Sequence, residues 1–157
     1  MVPVRRLNHA VLFVRDVERS VAFYRDVLGM EPVAREAEGR AVFMRAPGSG
    51  RHHDLGLFTV GEAAPSPPPG SVGLYHLAWE VERVEDLVAL RRQLADAGAL
   101  GGQSDHGATK SLYGRDPDGN EFEIMWQVPA EEWGAYADSA PILPLDLDAE
   151  VARYGGR

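Results

Sequence analysis

The sequence predicts an α+β chain built from two tandem βαβββ modules. Three observations carry this. An internal repeat sets "LNHAVLFVRDVERSVAFYRDVLG" under "LYHLAWEVERVEDLVALRRQLADAG", and a shift of 67 residues places His9 on His76, Val14 on Val81, Val17 on Val84 and Val21 on Val88. Each copy opens on an apolar strand pattern bearing a His and runs into an amphipathic helix. Three shorter strand candidates follow each helix, and a Pro-rich joint separates the copies.

The first module covers residues 5–60. Val17, Val21, Tyr24 and Leu28 lie on one helical face, with Asp16 as N-cap and Gly29 as the residue beyond the C-cap. The strands after it are "EPVARE", "AVFMRA" and "DLGLFTV". The joint, residues 61–72, is "GEAAPSPPPGSV", which suits neither a helix nor a central strand. The second module covers 73–128. Val84, Leu87, Leu90 and Leu94 make its helix face, ending near Gly98. Its strands are a weakly marked stretch over 99–103, then "KSLYGR" and "EFEIMW". Between the last two, "DPDG" is a turn in which Pro117 presets φ and Gly119 permits a positive one. The tail, 129–157, carries a short helix at "AEEWGAYA", an irregular run and a last turn. Its apolar residues Trp133, Tyr136, Ile142 and Leu143 suit a tail that covers a sheet edge or a partner.

The chain has 157 residues and a formal net charge of -8. Its basic residues are scattered, and Lys110 is the only lysine. This argues against nucleic acid and against an anionic membrane surface as partners. There is no Cys, hence no disulfide framework and no thiolate chemistry. The apolar run near the start is too short to span a membrane and lacks a small-residue cleavage site, so the expectation is a soluble, cytoplasmic protein.

Chemistry gathers in the second module. Period-two alternation puts Phe122, Ile124 and Trp126 on one face of the last strand, and Glu121, Glu123 and Met125 on the other. In the first strand of that module Leu77, Trp79 and Val81 face the helix, while His76 and Glu80 point away. His9 shares its face with Val11 and Phe13, and alternation alone leaves its direction open. A carboxylate within an apolar strand needs a positive partner. Pseudo-twofold halves bring repeat-equivalent residues together, so His9, His76 and Glu123 form a candidate set of two imidazoles and one carboxylate. Such a set suits a divalent first-row metal and leaves positions for substrate.

The repeat, the two His and "DPDGNEFE" resemble the vicinal oxygen chelate superfamily over about residues 5–127. That superfamily includes glyoxalase I, bleomycin-resistance-type binding proteins, epimerases and extradiol ring-cleaving dioxygenases. The resemblance implies a cupped mixed sheet around a metal held by His9, His76 and Glu123. The residue mirrored on Glu123 is Gly56, which cannot supply the extra carboxylate of a glyoxalase-like cage. An open two-His, one-carboxylate triad remains, the pattern suited to Fe(II) and dioxygen, with Mn(II), Ni(II) or Zn(II) as other metals it accepts. "HDLGLF" and "DHGATKSLY" resemble segments of the ring-cleaving enzymes that carry further active-site residues, here His53, His106 and Tyr113. Read from the residues alone, His53 and His106 are equally loop residues and Tyr113 a packing residue. Aiming His53 at a metal also requires a bulge or a place at the strand end. The implied activity is extradiol cleavage of a catechol-like aromatic by O2. With the apolar tail residues, the resemblance also implies a homodimer. The alternatives are a metal-dependent lyase or isomerase and a drug-binding protein without catalysis.

Overall fold

The computed structural model describes residues 1–156 and divides into two compact units, Met1–Pro69 and Gly70–Arg157. The division falls inside the Pro-rich joint. Each unit has the predicted strand–helix–three-strand order. The first contains β1 (Ala10–Val14), α1 (Val17–Leu28), β2 (Glu31–Glu36), β3 (Ala41–Arg45) and β4 (Leu55–Thr59). The second contains β5 (Leu77–Glu80), α2 (Val84–Asp96), β6 (Leu100–Asp105), β7 (Thr109–Arg115) and β8 (Glu121–Gln127), then α3 (Leu147–Tyr154).

Each unit carries its own four-stranded mixed sheet, ordered β1-β4-β3-β2 in one and β5-β8-β7-β6 in the other. The two sheets have identical topology, as the tandem βαβββ modules expected from sequence require. In both, the first strand runs parallel to the last and the other pairs are antiparallel. Both edge pairs also slip register once, at Pro32/Ala34 and at Leu100/Gly102.

The helix boundaries follow from local chemistry. The Asp16 carboxylate accepts from the Glu18 and Arg19 N–H groups, and Gly29 closes α1 at φ 69°. In α2 the Arg83 N–H donates to the Asp86 side chain, and Gly98 follows the helix at φ 65°. Helix faces and sheet faces then bury together. Val17, Val21 and Tyr24 lie with Leu12, Val14, Leu55 and Leu57 in the first core; Leu87 and Leu94 lie with Leu112, Phe122 and Ile124 in the second. Alternation holds in β8, whose Phe122, Ile124 and Trp126 are buried while Glu121, Glu123 and Met125 are half-exposed. Gly114 on β7 is a packing requirement. A Cβ there would lie 2.6 Å from Phe122 and 3.1 Å from the Ala99 carbonyl oxygen. Gly114→Ala should therefore cost about 1–3 kcal/mol in denaturant unfolding. A neutral result would mean that Phe122 has room to move.

The tail differs from expectation. "AEEWGAYA" forms two 3-10 turns, Ala130–Glu132 and Gly134–Tyr136, because Gly134 sits at φ 52° and breaks the helical path. The last turn is instead a full helix, α3, capped by the Asp146 carboxylate on the Ala149 N–H. It belongs to the second unit. The Tyr154 ring lies 5.0 Å from that of Trp126, and the Gly156 N–H donates to Glu85 at 2.7 Å. Ahead of it, Leu143 bridges Asp105 and covers the exposed edge of β6.

Among the described residues no helix is long and apolar enough to cross a membrane.

Candidate metal centre and substrate cleft

Strand register settles the position of Glu123 in the repeat. Val11 pairs with Gly56 in the first unit and Ala78 with Glu123 in the second. The same shift of 67 residues relates both members, so no net insertion separates Gly56 from its counterpart. The neighbouring strands extend the comparison. Phe43 lies opposite Gly56, and Tyr113 lies opposite Glu123. One fold therefore presents an apolar Phe–Gly pair in one half and a polar Tyr–Glu pair in the other. A Cβ at Gly56 would already lie 3.3 Å from Val11 and 3.5 Å from Phe43, which leaves a carboxylate little space.

In the second unit Glu123 is the centre of a polar array. His76, the residue just ahead of β5 rather than within it, places Nε2 3.1 Å from Glu123 Oε2. Tyr113 places its hydroxyl 3.3 Å from Glu123 Oε1, as expected for directly opposed residues on paired strands. His106 lies in the tight turn between β6 and β7, where the Asp105 carboxylate accepts from the Gly107 N–H. Its Nε2 is 2.7 Å from the Tyr113 hydroxyl, and its Nδ1 is 2.6 Å from the Pro141 carbonyl oxygen. Burial, with the charge of Glu123, pushes the Tyr113 phenol up to about 12, so it remains a protonated donor at neutral pH. These groups line an open cleft of about 540 Å³, whose wall includes Tyr75 and Ile142. The "DPDG" turn delivers β8 to this place. Asp116 accepts from the Asp118 and Asn120 N–H groups, and Gly119 turns at φ 85°.

In the first unit His9 directly precedes β1. That strand buries Leu12 and Val14 and exposes Val11 and Phe13, a choice alternation could not make. His9 Nδ1 is 2.9 Å from the Asn8 side-chain oxygen, an acceptor, so Nδ1 carries the proton and Nε2 offers a lone pair. His53 sits two residues ahead of β4, at the strand end rather than on a bulge. Its ring centroid lies 4.6 Å from that of His9 and 4.8 Å from that of Phe43. Burial, then the neighbouring His9 and His52, hold the His53 imidazole below its ordinary value. Its Nε2 is buried with no hydrogen-bond partner. The turn that carries it is organised by Asp54, which accepts from the Ala46 N–H, Ser49 and Arg51. Burial alone would raise the Asp54 carboxyl; those donors outweigh it and bring it down.

His76 and Glu123 are donors of the kind that divalent metals take. Two ligands about 2.1 Å from one ion at adjacent octahedral positions lie about 3 Å apart. His76 Nε2 and Glu123 Oε2 have that separation, 3.1 Å. The His76 Nδ1 is buried without a partner. Among the described residues no group of three or more His, Cys, Asp or Glu is placed to hold a metal ion. The structure thus brings together His76, Glu123, Tyr113 and His106 in one unit, and His9 with His53 in the other. Sequence reasoning missed the Pro141 carbonyl and the Ile142 wall, since nothing in a residue type marks its backbone oxygen as a partner.

The model of the "Glyoxalase/Bleomycin resistance protein/Dioxygenase superfamily" matches residues 6–124. The chain is 31% identical over 129 residues to the manganese-dependent 2,3-dihydroxybiphenyl 1,2-dioxygenase of Geobacillus genomosp. 3, covering 80% of this chain and 38% of that one. It is 33% identical over 153 residues to the iron-dependent extradiol dioxygenase of Rhodococcus jostii (strain RHA1), covering 85% and 48%. The chain spans less than half the length of either relative. Among solved structures, a glyoxylase/bleomycin resistance protein/dioxygenase domain from Frankia sp. EAN1pec superposes with a TM-score of 0.66 at 25% identity, over 80% of this chain and 94% of that one. Repeat, topology and the matched stretch agree: the chain belongs to the glyoxalase/bleomycin resistance protein/dioxygenase superfamily.

Proposed function

We propose that the chain is an extradiol dioxygenase that opens the ring of a catechol-type aromatic with O2, using Fe(II) held by His9, His76 and Glu123. The observation that carries this reading is Glu123, set between His76 and Tyr113 with Gly56 at its mirrored position. Three donors leave positions open for two substrate oxygens and O2, whereas a fourth carboxylate would close one. The iron-dependent and manganese-dependent relatives named above support the same reaction class and leave the metal to be measured.

A bound Fe(II) supplies the redox chemistry between catechol and O2 and the positive charge that favours the catecholate. The chain's own groups do the rest. Tyr113 and His106, hydrogen-bonded to one another, orient the substrate oxygens on the cleft floor. His53, neutral at pH 7 and with Nε2 unpaired, takes and returns the hydroxyl proton of the diol. Both atoms of O2 enter the product, so no external reductant is consumed.

The test is an anaerobic preparation loaded with Fe(II), mixed with a panel of catechols and then given oxygen. A yellow ring-cleaved product is expected. Absence of turnover across the panel, with bound iron confirmed, sinks the substrate class. His53→Ala should keep its metal and lose about 100-fold or more in turnover. Full activity in that variant would remove His53 from the mechanism.

A further inference from the structure

The family match ends at residue 124, yet the chain beyond it reaches the cleft. Ala140 and Ile142 line the wall, and Pro141 between them aims its carbonyl oxygen at His106. A carbonyl oxygen only accepts, so the His106 Nδ1, 2.6 Å away, carries a proton. In the neutral ring Nε2 then presents a lone pair to the Tyr113 hydroxyl at 2.7 Å. Tyr113 has one proton and two acceptors within reach, His106 at 2.7 Å and Glu123 Oε1 at 3.3 Å.

We infer that the segment 140–145 is a positioning element of the site: the Pro141 carbonyl holds His106 in its Nδ1–H tautomer, which draws the Tyr113 proton away from Glu123. Its catalytic consequence rests on the dioxygenase reading; the tautomer rests on geometry alone. In the opposite tautomer an Nε2–H would donate to the Tyr113 oxygen. The phenol proton would then turn to Glu123 and compete with a cation for the carboxylate. Which nitrogen of a His is protonated is set by the bond the other one makes. Here that bond comes from a segment held firmly in place. The Leu143 N–H donates to the Asp105 carbonyl and the Asp105 N–H to the Leu143 carbonyl, each at 2.9 Å. Gln103 Nε2 donates to the Leu145 carbonyl at 2.8 Å. Pro144 restricts the backbone between these ties, and Pro141 has its own φ fixed just ahead of them.

The experiment is nitrogen NMR of metal-free protein labelled with 15N-histidine, at mildly alkaline pH, with His106 assigned by difference against His106→Asn. The expected spectrum has the His106 proton on Nδ1. A proton on Nε2, alone or together with Nδ1, overturns the inference. Leu143→Pro removes one N–H of the bridge and should give a mixture of tautomers. With Fe(II) loaded, it should retain metal and lose about 10–100-fold in turnover. An unchanged wild-type tautomer in a folded Leu143→Pro protein also overturns the inference. Should that variant fail to fold, Gln103→Ala carries the same comparison with the milder loss of one tie. If the wild type shows the Nδ1–H form but cleaves no catechol, the dioxygenase reading fails and the tautomer assignment stands.

Discussion

Glu123→Gln is expected to lose the metal and to lower turnover by more than about 100-fold, beyond the range for an outer partner of a metal ligand. Gln has nearly the shape of Glu, so the strand pairing with Tyr113 and Ala78 and the buried partners Phe122 and Ile124 remain. What disappears is the negative charge and one oxygen. Two imidazoles alone hold a hard divalent ion poorly, because the carboxylate supplies the charge that compensates ion dehydration. Metal analysis after dialysis and steady-state turnover are the measurements, with circular dichroism as the control for folding. Stoichiometric metal and normal turnover in Glu123→Gln would remove Glu123 from the ligand set. Loss of metal with an unchanged fold would separate the site from the scaffold.

The second large effect is on stability. Lys110, the only lysine, is 5% exposed. Its Nζ lies 2.6 Å from Asp105 and 3.5 Å from Glu150. Lys110→Ala leaves two half-buried carboxylates without their cation, and breaking such a pair from one side costs about 3–5 kcal/mol. Denaturant unfolding at neutral pH measures it. Because Asp105 bridges Leu143 and Glu150 lies on α3, the loss should concentrate in the tail. Hydrogen exchange over residues 140–156 should then speed up more than exchange in β8. A change below about 1 kcal/mol, the size of an exposed pair, would mean that the triad is hydrated rather than buried in effect.

Much of the scaffold could be read from the chain because its causes are local. Asp16 and Gly29 mark α1 through groups within four residues of its ends. "DPDG" specifies its turn through Asp116, Pro117 and Gly119, all within the turn itself. β8 alternates because one of its faces packs on a helix, and the pattern is written in every second residue. The repeat then related distant residues, and the strand pairing placed Gly56 opposite Val11 as it placed Glu123 opposite Ala78. Where both faces of a segment are apolar, as in β1, this signal vanishes. Only packing showed that Leu12 and Val14 turn inward and that Val11 and Phe13 do not.

The tail was illegible for a different reason. Its apolar residues resemble a helix face, but Gly134 adopts a positive φ and splits the segment into two turns, while the true helix starts at Leu147. Lys110 has the composition of a surface residue; burial with Asp105 and Glu150 makes it an anchor. By itself the sequence determined the order of elements, the caps and the residue types able to bind a metal, since these follow from neighbours along the chain. Tertiary structure decided which oxygen His106 meets, because every residue carries the same backbone carbonyl and only the fold selects Pro141.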